Sequence, residues 1–326
     1  MYYKHSNYRT FLKLLKNYII VILILLSFSA SSQDSTNFSN LLKTDSTTWK
    51  DSDTLYTYRW NKDNQKWEIY QQKLTRYNEK NQIINIYLYT RNLATNKWEY
   101  TQRTLYSYNS RNKETEELVQ KWNVSFKNWV NTKLKSTTYD TEGNRAELLF
   151  QEWQKPLTEW INTMRYVLNY NLEGKQKEII IKIYNGTHNS WENYKRYLLS
   201  YDQFGPPTEI VIEGWNTHSN KWSTEGKYNF LYNFRGDKTQ EIRATWNIVN
   251  KEWINSTKLL MKYGKKETLT EYLHQKWNFR ENTWTNYLKT TSEYDTNYKI
   301  ISSTEYKWNN ELKKWLIINK FLYSNN

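Results

Sequence analysis

Carboxylates recur at a fixed period and are the first residues in this chain to consider for chemistry. Glutamate stands six residues before a repeated aromatic position, with Gln240 replacing it once; the members are Glu116, Glu147, Glu178, Glu209 and Glu271. A glycosidase needs two carboxylates in unlike environments, whereas a periodic row gives its members nearly the same surroundings. We therefore expect these carboxylates to pair with lysine on neighbouring strands.

Histidine and cysteine offer little further chemistry. After residue 33 the chain has only His188, His218 and His274, and it has no Cys. His188 and His218 lie in equivalent loops, but no carboxylate recurs beside them to complete a metal site. Phosphate loops, nucleophile elbows and zinc spacings are also missing from the sequence. These observations predict a protein that is not an enzyme and has no catalytic residue, metal or cofactor.

Tryptophan carries the strongest pattern, with a period of 31 residues: Trp67, Trp98, Trp129, Trp160, Trp191, Trp222, Trp253, Trp284 and Trp315. A second aromatic stands seven residues before each of these except where Arg91 replaces it: Trp60, Trp122, Trp153, Tyr184, Trp215, Trp246, Trp277 and Trp308. A period kept over nine units without insertion or deletion predicts units that stack in one geometry.

Two strands position the residues of each unit. One runs from the second Trp to a Tyr ten residues later, as in Trp160 to Tyr170, and the next runs to the following aromatic, as in Glu178 to Tyr184. Asn, Asp and Gly mark the turns between them, and no room is left for a helix. Residues 49–326 are therefore predicted to be an all-β, antiparallel meander of about nine two-strand repeats in an elongated twisted or spiral sheet. By simple alternation, each Trp and the Tyr ten residues later face the same way.

The N-terminus is typical of an exported protein. Residues 1–33 predict a signal peptide, with basic residues followed by an apolar run from Tyr18 to Leu26 and small residues after it. Residues 34–48 are predicted to be a leader, and no transmembrane segment is expected after signal removal. The formal charge is +14, and +10 remains without the four basic residues of the signal. Acidic residues are interspersed throughout, which favours a solvated surface over a nucleic-acid site.

The turn sequences Tyr139–Asn144 and Tyr170–Lys175 resemble those of YD-type β-hairpin repeats in bacterial surface proteins. The larger unit, with its Trp pair and an Asn after the first Trp, is similar to the Trp/Tyr repeats of exported Bacteroidetes proteins over residues 49–323. This resemblance implies a secreted, cell-surface or periplasmic protein and no established activity.

The predicted function is adhesion or binding through an extended surface, with a glycan or a surface protein as ligand. The alternatives are a structural spacer or envelope component without a specific ligand, and a cryptic polysaccharide-active enzyme. Unpaired end strands also favour self-association. Sugar rings stack on aromatic faces, so the candidate ligand platform consists of Trp122, Trp129, Trp153, Trp160, Trp215, Trp222, Trp246 and Trp253.

Overall fold

Nearly all regular structure in the described part of the chain is β-strand. The computed structural model describes residues 51–61, 65–155, 157–203 and 205–323. The predicted signal peptide and leader lie outside these residues. Within them, the only helical element is a short 3-10 turn, Lys265–Glu267.

The chain divides into two units, Met1–Arg165 and Tyr166–Asn326. The first unit holds β1 (Asp51–Asn61), β2 (Lys66–Tyr77), β3 (Ile83–Asn92), β4 (Lys97–Tyr108), β5 (Glu114–Asn123), β6 (Asn128–Tyr139), β7 (Arg145–Gln154) and the start of β8 (Glu159–Tyr170). The second unit holds the end of β8, then β9 (Gln176–Asn185), β10 (Ser190–Ser200), β11 (Glu209–Asn216), β12 (Lys221–Tyr232), β13 (Lys238–Asn247), β14 (Glu252–Tyr263), β15 (Leu269–Asn278), β16 (Thr283–Tyr294), β17 (Ile300–Asn309) and β18 (Lys314–Leu322).

The 18 strands belong to one antiparallel sheet in which strands adjacent in sequence pair. Every repeat supplies a hairpin around the paired aromatics and a turn to the next repeat. The prediction of an all-β meander of nine two-strand repeats is confirmed.

A β-bulge recurs in the Trp hairpins. In the β5–β6 pair, Val119 lies opposite Lys133 and Gln120 opposite Asn131, so Thr132 is left without a partner residue. The equivalent register shift occurs in β3–β4, β11–β12, β13–β14, β15–β16 and β17–β18. The Thr132 hydroxyl donates to the Val119 carbonyl at 2.8 Å. The hydroxyl thus gives a hydrogen bond to a strand carbonyl where the ladder is locally disrupted.

The bulge changes which residues share a face. Leu134, five residues after Trp129, forms a buried cluster with Leu105 and Leu118, and Trp160 packs against this cluster. In a regular strand, an odd offset of five residues would place the Leu134 and Trp129 side chains on different faces of the sheet. The extra residue reverses the alternation, so the prediction that each Trp shares a face with the Tyr ten residues later is wrong.

The second part of the core lies on the face of the sheet opposite the paired aromatics. In the second unit, Ile179, Leu199 and Ile210 are buried there, and Leu199 lies opposite Ile210 in the β10–β11 register. Complete burial of one such aliphatic side chain stabilises the fold by about 1.5–3 kcal/mol. The sheet therefore has buried apolar residues on both faces.

The turns between repeats follow one local design. Asp140 accepts a hydrogen bond from the Asn144 backbone N–H at 2.6 Å, and Gly143 donates to the Asp140 carbonyl at 3.0 Å. Gly143 has φ of 85°, a left-handed conformation that glycine adopts without steric cost. Asn112 occupies the same position in an earlier repeat, with φ of 62°. These turns confirm the mechanism expected from the Asn, Asp and Gly pattern.

Candidate functional site

The paired aromatics meet edge to face across every Trp hairpin except that of Arg91 and Trp98. Trp122 lies opposite Trp129 in the β5–β6 register, and their ring centroids are 5.1 Å apart at 65°. In the second unit, Trp246 and Trp253 lie 4.9 Å apart at 66°. The quadrupoles of two aromatic rings favour this arrangement over a parallel sandwich. The predicted cross-strand pairing of the two aromatic series is confirmed.

A cation from the preceding repeat covers the second Trp of many pairs. The cation stands five residues after one Trp and 26 residues before the Trp that it covers. The contacts, measured to the ring centroid, are Arg103 over Trp129 at 4.8 Å, Arg196 over Trp222 at 4.9 Å, Lys227 over Trp253 at 4.7 Å, Lys258 over Trp284 at 5.8 Å and Lys289 over Trp315 at 4.9 Å. Cation–π contacts thus couple neighbouring repeats.

The glutamate row supplies the counter-charges. Glu178 pairs with Arg196 at 3.5 Å and Glu209 pairs with Lys227 at 3.5 Å, each across one strand boundary. Glu147 pairs with Arg165 in the first unit. The expected pairing with lysine of a neighbouring strand is confirmed at Glu209, whereas arginine takes this place at Glu147 and Glu178. A carboxylate held in this way belongs to an ion pair with a basic side chain.

Two repeats depart from this arrangement, because Gln72 and Leu134 stand at the position that holds a cation in the other repeats. In the second of these repeats, Leu134 joins the apolar cluster with Leu118 against Trp160. Glu116, the glutamate of this repeat, hydrogen-bonds to Ser107, and burial raises the pKa of its carboxyl group against the lowering effect of that bond. The environment of Glu116 therefore differs from that of Glu147, Glu178 and Glu209.

The eight Trp of the predicted platform lie in this row. Each of them is partly exposed, and none is fully buried. Each T-shaped pair is therefore partly accessible to solvent, while a cation or an aliphatic side chain packs against a ring in several of the pairs. A role in ligand binding for these eight residues stays a prediction.

The asparagine after the first aromatic has a structural task. The Asn123 side-chain oxygen accepts hydrogen bonds from the backbone N–H groups of Ser125 and Phe126, at 3.0 and 3.2 Å. The same pair of bonds recurs at Asn92, Asn185, Asn216, Asn247, Asn278 and Asn309. Because the side-chain oxygen holds the loop closed, this series is not a row of unpaired amides.

Apolar residues at the tips of the Trp loops were missed by the sequence reasoning. Several loops expose an apolar side chain between the first aromatic and the second Trp: Leu93, Val124, Phe126, Leu157, Ile248, Val249, Phe279 and Leu312. Phe126 is 77 % exposed and Phe279 is 66 % exposed. Apolar residues inside a turn sequence were the available signal, because a hairpin loop of this length has no core in which to bury them.

An open cleft of about 400 Å³ lies beside one of these loops, in the second unit. Its lining combines aromatic, basic and amide side chains: Lys276, Trp277, Asn278, Phe279, Arg280, Thr285, Asn286, Tyr287 and Asn310. The Lys276 ammonium lies 3.5 Å from the Tyr287 ring centroid. The exposed Arg280 and Phe279 stand at its rim. The cleft therefore offers stacking faces next to positive charge.

The described residues contain neither a cluster of metal ligands nor a helix that could span a membrane. No cluster of three or more His, Asp or Glu side chains there is arranged to hold a metal ion. His188 is exposed, with its ring 4.0 Å from Glu192, whereas His274 packs edge-on against Tyr287 at 5.2 Å. None of the described helical segments has the length and hydrophobicity needed to span a bilayer.

Fold and site together define an all-β hairpin-repeat protein in which aromatic and basic side chains lie beside a Trp loop. No family model matches this chain, and no curated protein matches it. A protein of unknown function from Bacteroides fragilis is 18 % identical, over 48 % of this chain and 91 % of that chain, with a TM-score of 0.23. A DUF3836 family protein from Bacteroides vulgatus is 15 % identical, over 38 % and 90 %, with a TM-score of 0.21. A porin-like protein from Bacteroides uniformis is 10 % identical, over 67 % and 88 %, with a TM-score of 0.33. TM-scores of this size carry no argument about function.

Proposed function

We propose that this protein is an exported, non-catalytic binding protein that holds acidic polysaccharide along its Trp loops. The observation that carries the proposal is the cleft beside Phe279, where aromatic faces, amides and two basic side chains converge. Sugar rings stack on aromatic faces, and a guanidinium pairs with a carboxylate or sulfate in two parallel hydrogen bonds.

The rim of the cleft fits this class of ligand. Phe279 is largely exposed, so stacking a sugar on it removes apolar surface from water. Arg280 is exposed beside it, and Glu281 is the nearest acidic residue along the loop. The net charge without the four basic residues of the signal, +10, attracts polyanions at long range.

The proposal that the protein is non-catalytic rests on the ion pairs that the carboxylates form. Glu147, Glu178 and Glu209 are each engaged by a basic side chain in the same relative geometry. Glycoside hydrolysis requires a protonated acid beside an ionised base or nucleophile, and the three equivalent ion pairs of Glu147, Glu178 and Glu209 do not create that difference. The same row supports a non-catalytic role over a cryptic polysaccharide-active enzyme.

A panel of polysaccharides tests the proposal. Affinity electrophoresis of the purified protein in gels containing polygalacturonate, a sulfated glycan, dextran or cellulose derivatives measures retardation by each polymer. We expect retardation by the acidic polymers that weakens as salt is raised, because exposed charges are screened within about 10 Å at 0.1 M salt. Unchanged mobility in every gel would reject glycan binding and favour the structural-spacer alternative. Release of reducing ends during the same incubation would reject the non-catalytic assignment.

A further inference from the structure

Glycine follows the loop asparagine in one repeat only, at Asn185-Gly186, and this is also the single Asn-Gly sequence of the chain. The side-chain amide of an asparagine is open to attack by the backbone nitrogen of the next residue. This attack closes a five-membered succinimide ring and expels ammonia. Glycine hinders it least, because glycine has no Cβ atom and the widest range of backbone conformations.

The fold does not require glycine at position 186. Gly186 lies outside the left-handed region, unlike turn glycines such as Gly143. A Cβ atom at this position would meet no atom of the described residues within 4 Å. Leu93 stands at the equivalent position of another Trp loop. A side chain can therefore be introduced at position 186 without strain, so the reactivity of Asn185 can be tested by substitution.

Two backbone donors hold the amide oxygen of Asn185. The N–H groups of Thr187 and His188 donate to Oδ1 at 3.0 and 3.2 Å. Attack on the amide carbon moves negative charge onto this oxygen, and N–H groups that are already in place stabilise such charge. The bonds that close the loop therefore also favour the tetrahedral intermediate of the attack.

The amide nitrogen of Asn185, which is the leaving group, faces His188. Its Nδ2 atom lies 3.0 Å from Nδ1 of His188 and donates to Oε1 of Glu192 at 2.6 Å. When the amide carbon becomes tetrahedral, this nitrogen becomes a basic amine, which an imidazole at hydrogen-bond distance can protonate. His188 is exposed, so solvent restores its proton. The loop thus supplies donors at the oxygen and an acid at the nitrogen.

We propose that Asn185 is a site of self-catalysed deamidation in which His188 is the general acid. The Gly186 backbone nitrogen gives its proton to solvent and bonds to Cγ of Asn185. The Cγ–Nδ2 bond breaks, and ammonia leaves with the proton that His188 supplies. Water then opens the succinimide at either carbonyl group and yields aspartate or isoaspartate. The net change converts one amide and one water into one carboxylate and one ammonium ion.

The reaction reverses the contact with Glu192. The Asn185 amide donates to this carboxylate, whereas an aspartate at position 185 places a second negative charge beside it. The isoaspartate product also adds a methylene group to the backbone of the loop. Both products therefore loosen the loop between β9 and β10, and the loosened fraction increases with the age of the protein.

Asn92 is a matched control within the same molecule. Its side chain makes the same bonds to two backbone N–H groups of its own loop, and its Nδ2 donates to Glu99 at 2.7 Å. Leu93 and Thr95 stand where the Asn185 loop has glycine and histidine. The two asparagines therefore share their hydrogen bonds and differ in the two groups that the proposal requires.

Peptide mass spectrometry of protein kept for several weeks at neutral pH and physiological temperature measures the mass gain and the isoaspartate content at each asparagine. We expect modification at Asn185 to precede modification at Asn92. Gly186→Leu should slow it on the order of tenfold or more, because the attacking nitrogen no longer reaches the amide carbon easily. Leu93→Gly should accelerate modification at Asn92. Equal rates at Asn185 and Asn92, or an unchanged rate in Gly186→Leu, would overturn the proposal.

The part played by His188 has its own variant. His188→Thr reproduces the residue of the Asn92 loop and should slow modification at Asn185 several times, because the departing amine loses its acid. A histidine that only held the loop closed would give the opposite result, since a looser loop brings Gly186 more often to the amide carbon. An unchanged or increased rate in His188→Thr would therefore overturn the assignment of His188 as the acid.

Discussion

Arg196 lies over the ring of Trp222, with its guanidinium carbon 4.9 Å from the ring centroid. It also pairs with Glu178 at 3.5 Å and with Glu213. One side chain of a repeat thus covers the aromatic pair of the next repeat and neutralises two carboxylates. In a repeat protein whose units contact only their neighbours, such contacts determine how strongly adjacent units are coupled.

Removal of the Arg196 side chain should loosen this coupling. Arg196→Ala eliminates a cation–π contact and leaves two partly buried carboxylates without their cation, at a combined cost of about 2 kcal/mol. Arg196→Lys keeps the charge and should cost less than half as much. Urea unfolding followed by circular dichroism measures both variants. A midpoint for Arg196→Ala equal to that of the unsubstituted protein would show that the cover contributes nothing to stability.

Equivalent glutamates should respond with opposite signs to the same substitution. The pKa of Glu116 is raised by burial, so its contribution to stability is largest below its unfolded pKa and is lost as the pH rises through its folded pKa. Glu116→Gln should therefore stabilise the protein at pH 7. Glu147→Gln removes the partner of Arg165 and should destabilise it by about 1 kcal/mol. Thermal unfolding of the two variants at pH 7 provides the comparison, and shifts of the same sign would contradict it.

His274 should make the fold sensitive to mild acid. Burial, followed by the charges of Lys276 and Arg243, lowers the pKa of this imidazole below its ordinary value of 6.5. A lowered pKa gives stability that is present above the unfolded pKa and is lost as the pH falls through the folded pKa. We expect the urea midpoint to decrease as the pH is lowered below 6.5, and His274→Gln to reduce this decrease. His218→Gln, at an exposed loop position, is the control, and an equal effect of both variants would rule out His274 as the source.

The recurrent bulge should depend on its hydroxyl group. Thr132→Val keeps the shape and removes the hydrogen bond to the Val119 carbonyl, which should cost about 1 kcal/mol. Thr138→Val places the same change at an exposed position of the same strand and should have an effect within about 0.5 kcal/mol. Hydrogen exchange of the β5 and β6 backbone amides measures the local loss of stability. Equal protection in both variants would contradict a role for the hydroxyl.

Much of the fold follows from the sequence because its signals are local. The Trp period defines the repeat, and the Asn, Asp and Gly residues define the turns through bonds such as that between Asp140 and Asn144. The bulge could not be predicted, since its extra residue is Thr132 in one repeat, Tyr194 in another and Glu225 in a third. Simple alternation without the bulge therefore predicts the wrong face for the residues that follow the bulge, as far as the Tyr.

The site was harder to predict than the fold. Cations recur five residues after the Trp, but only the reversed alternation shows that Arg103 faces Trp129. The cleft depends on the approach of Asn310 to the loop of Phe279, and these belong to adjacent repeats. Contacts between repeats are set by sheet geometry, which a single repeat sequence does not contain.

Calorimetric titration of polygalacturonate tests the proposed binding function most directly. The chain offers a matched pair of Phe-Arg sequences, Phe279-Arg280 at the cleft and Phe234-Arg235 in a turn between repeats, where Phe234 is 95 % exposed. We predict saturable binding that the double substitution Phe279→Ala and Arg280→Ala weakens on the order of tenfold or more, while Phe234→Ala with Arg235→Ala leaves it nearly unchanged. Equal affinity of the two double variants, or no heat of binding to the unsubstituted protein, would contradict the proposed site.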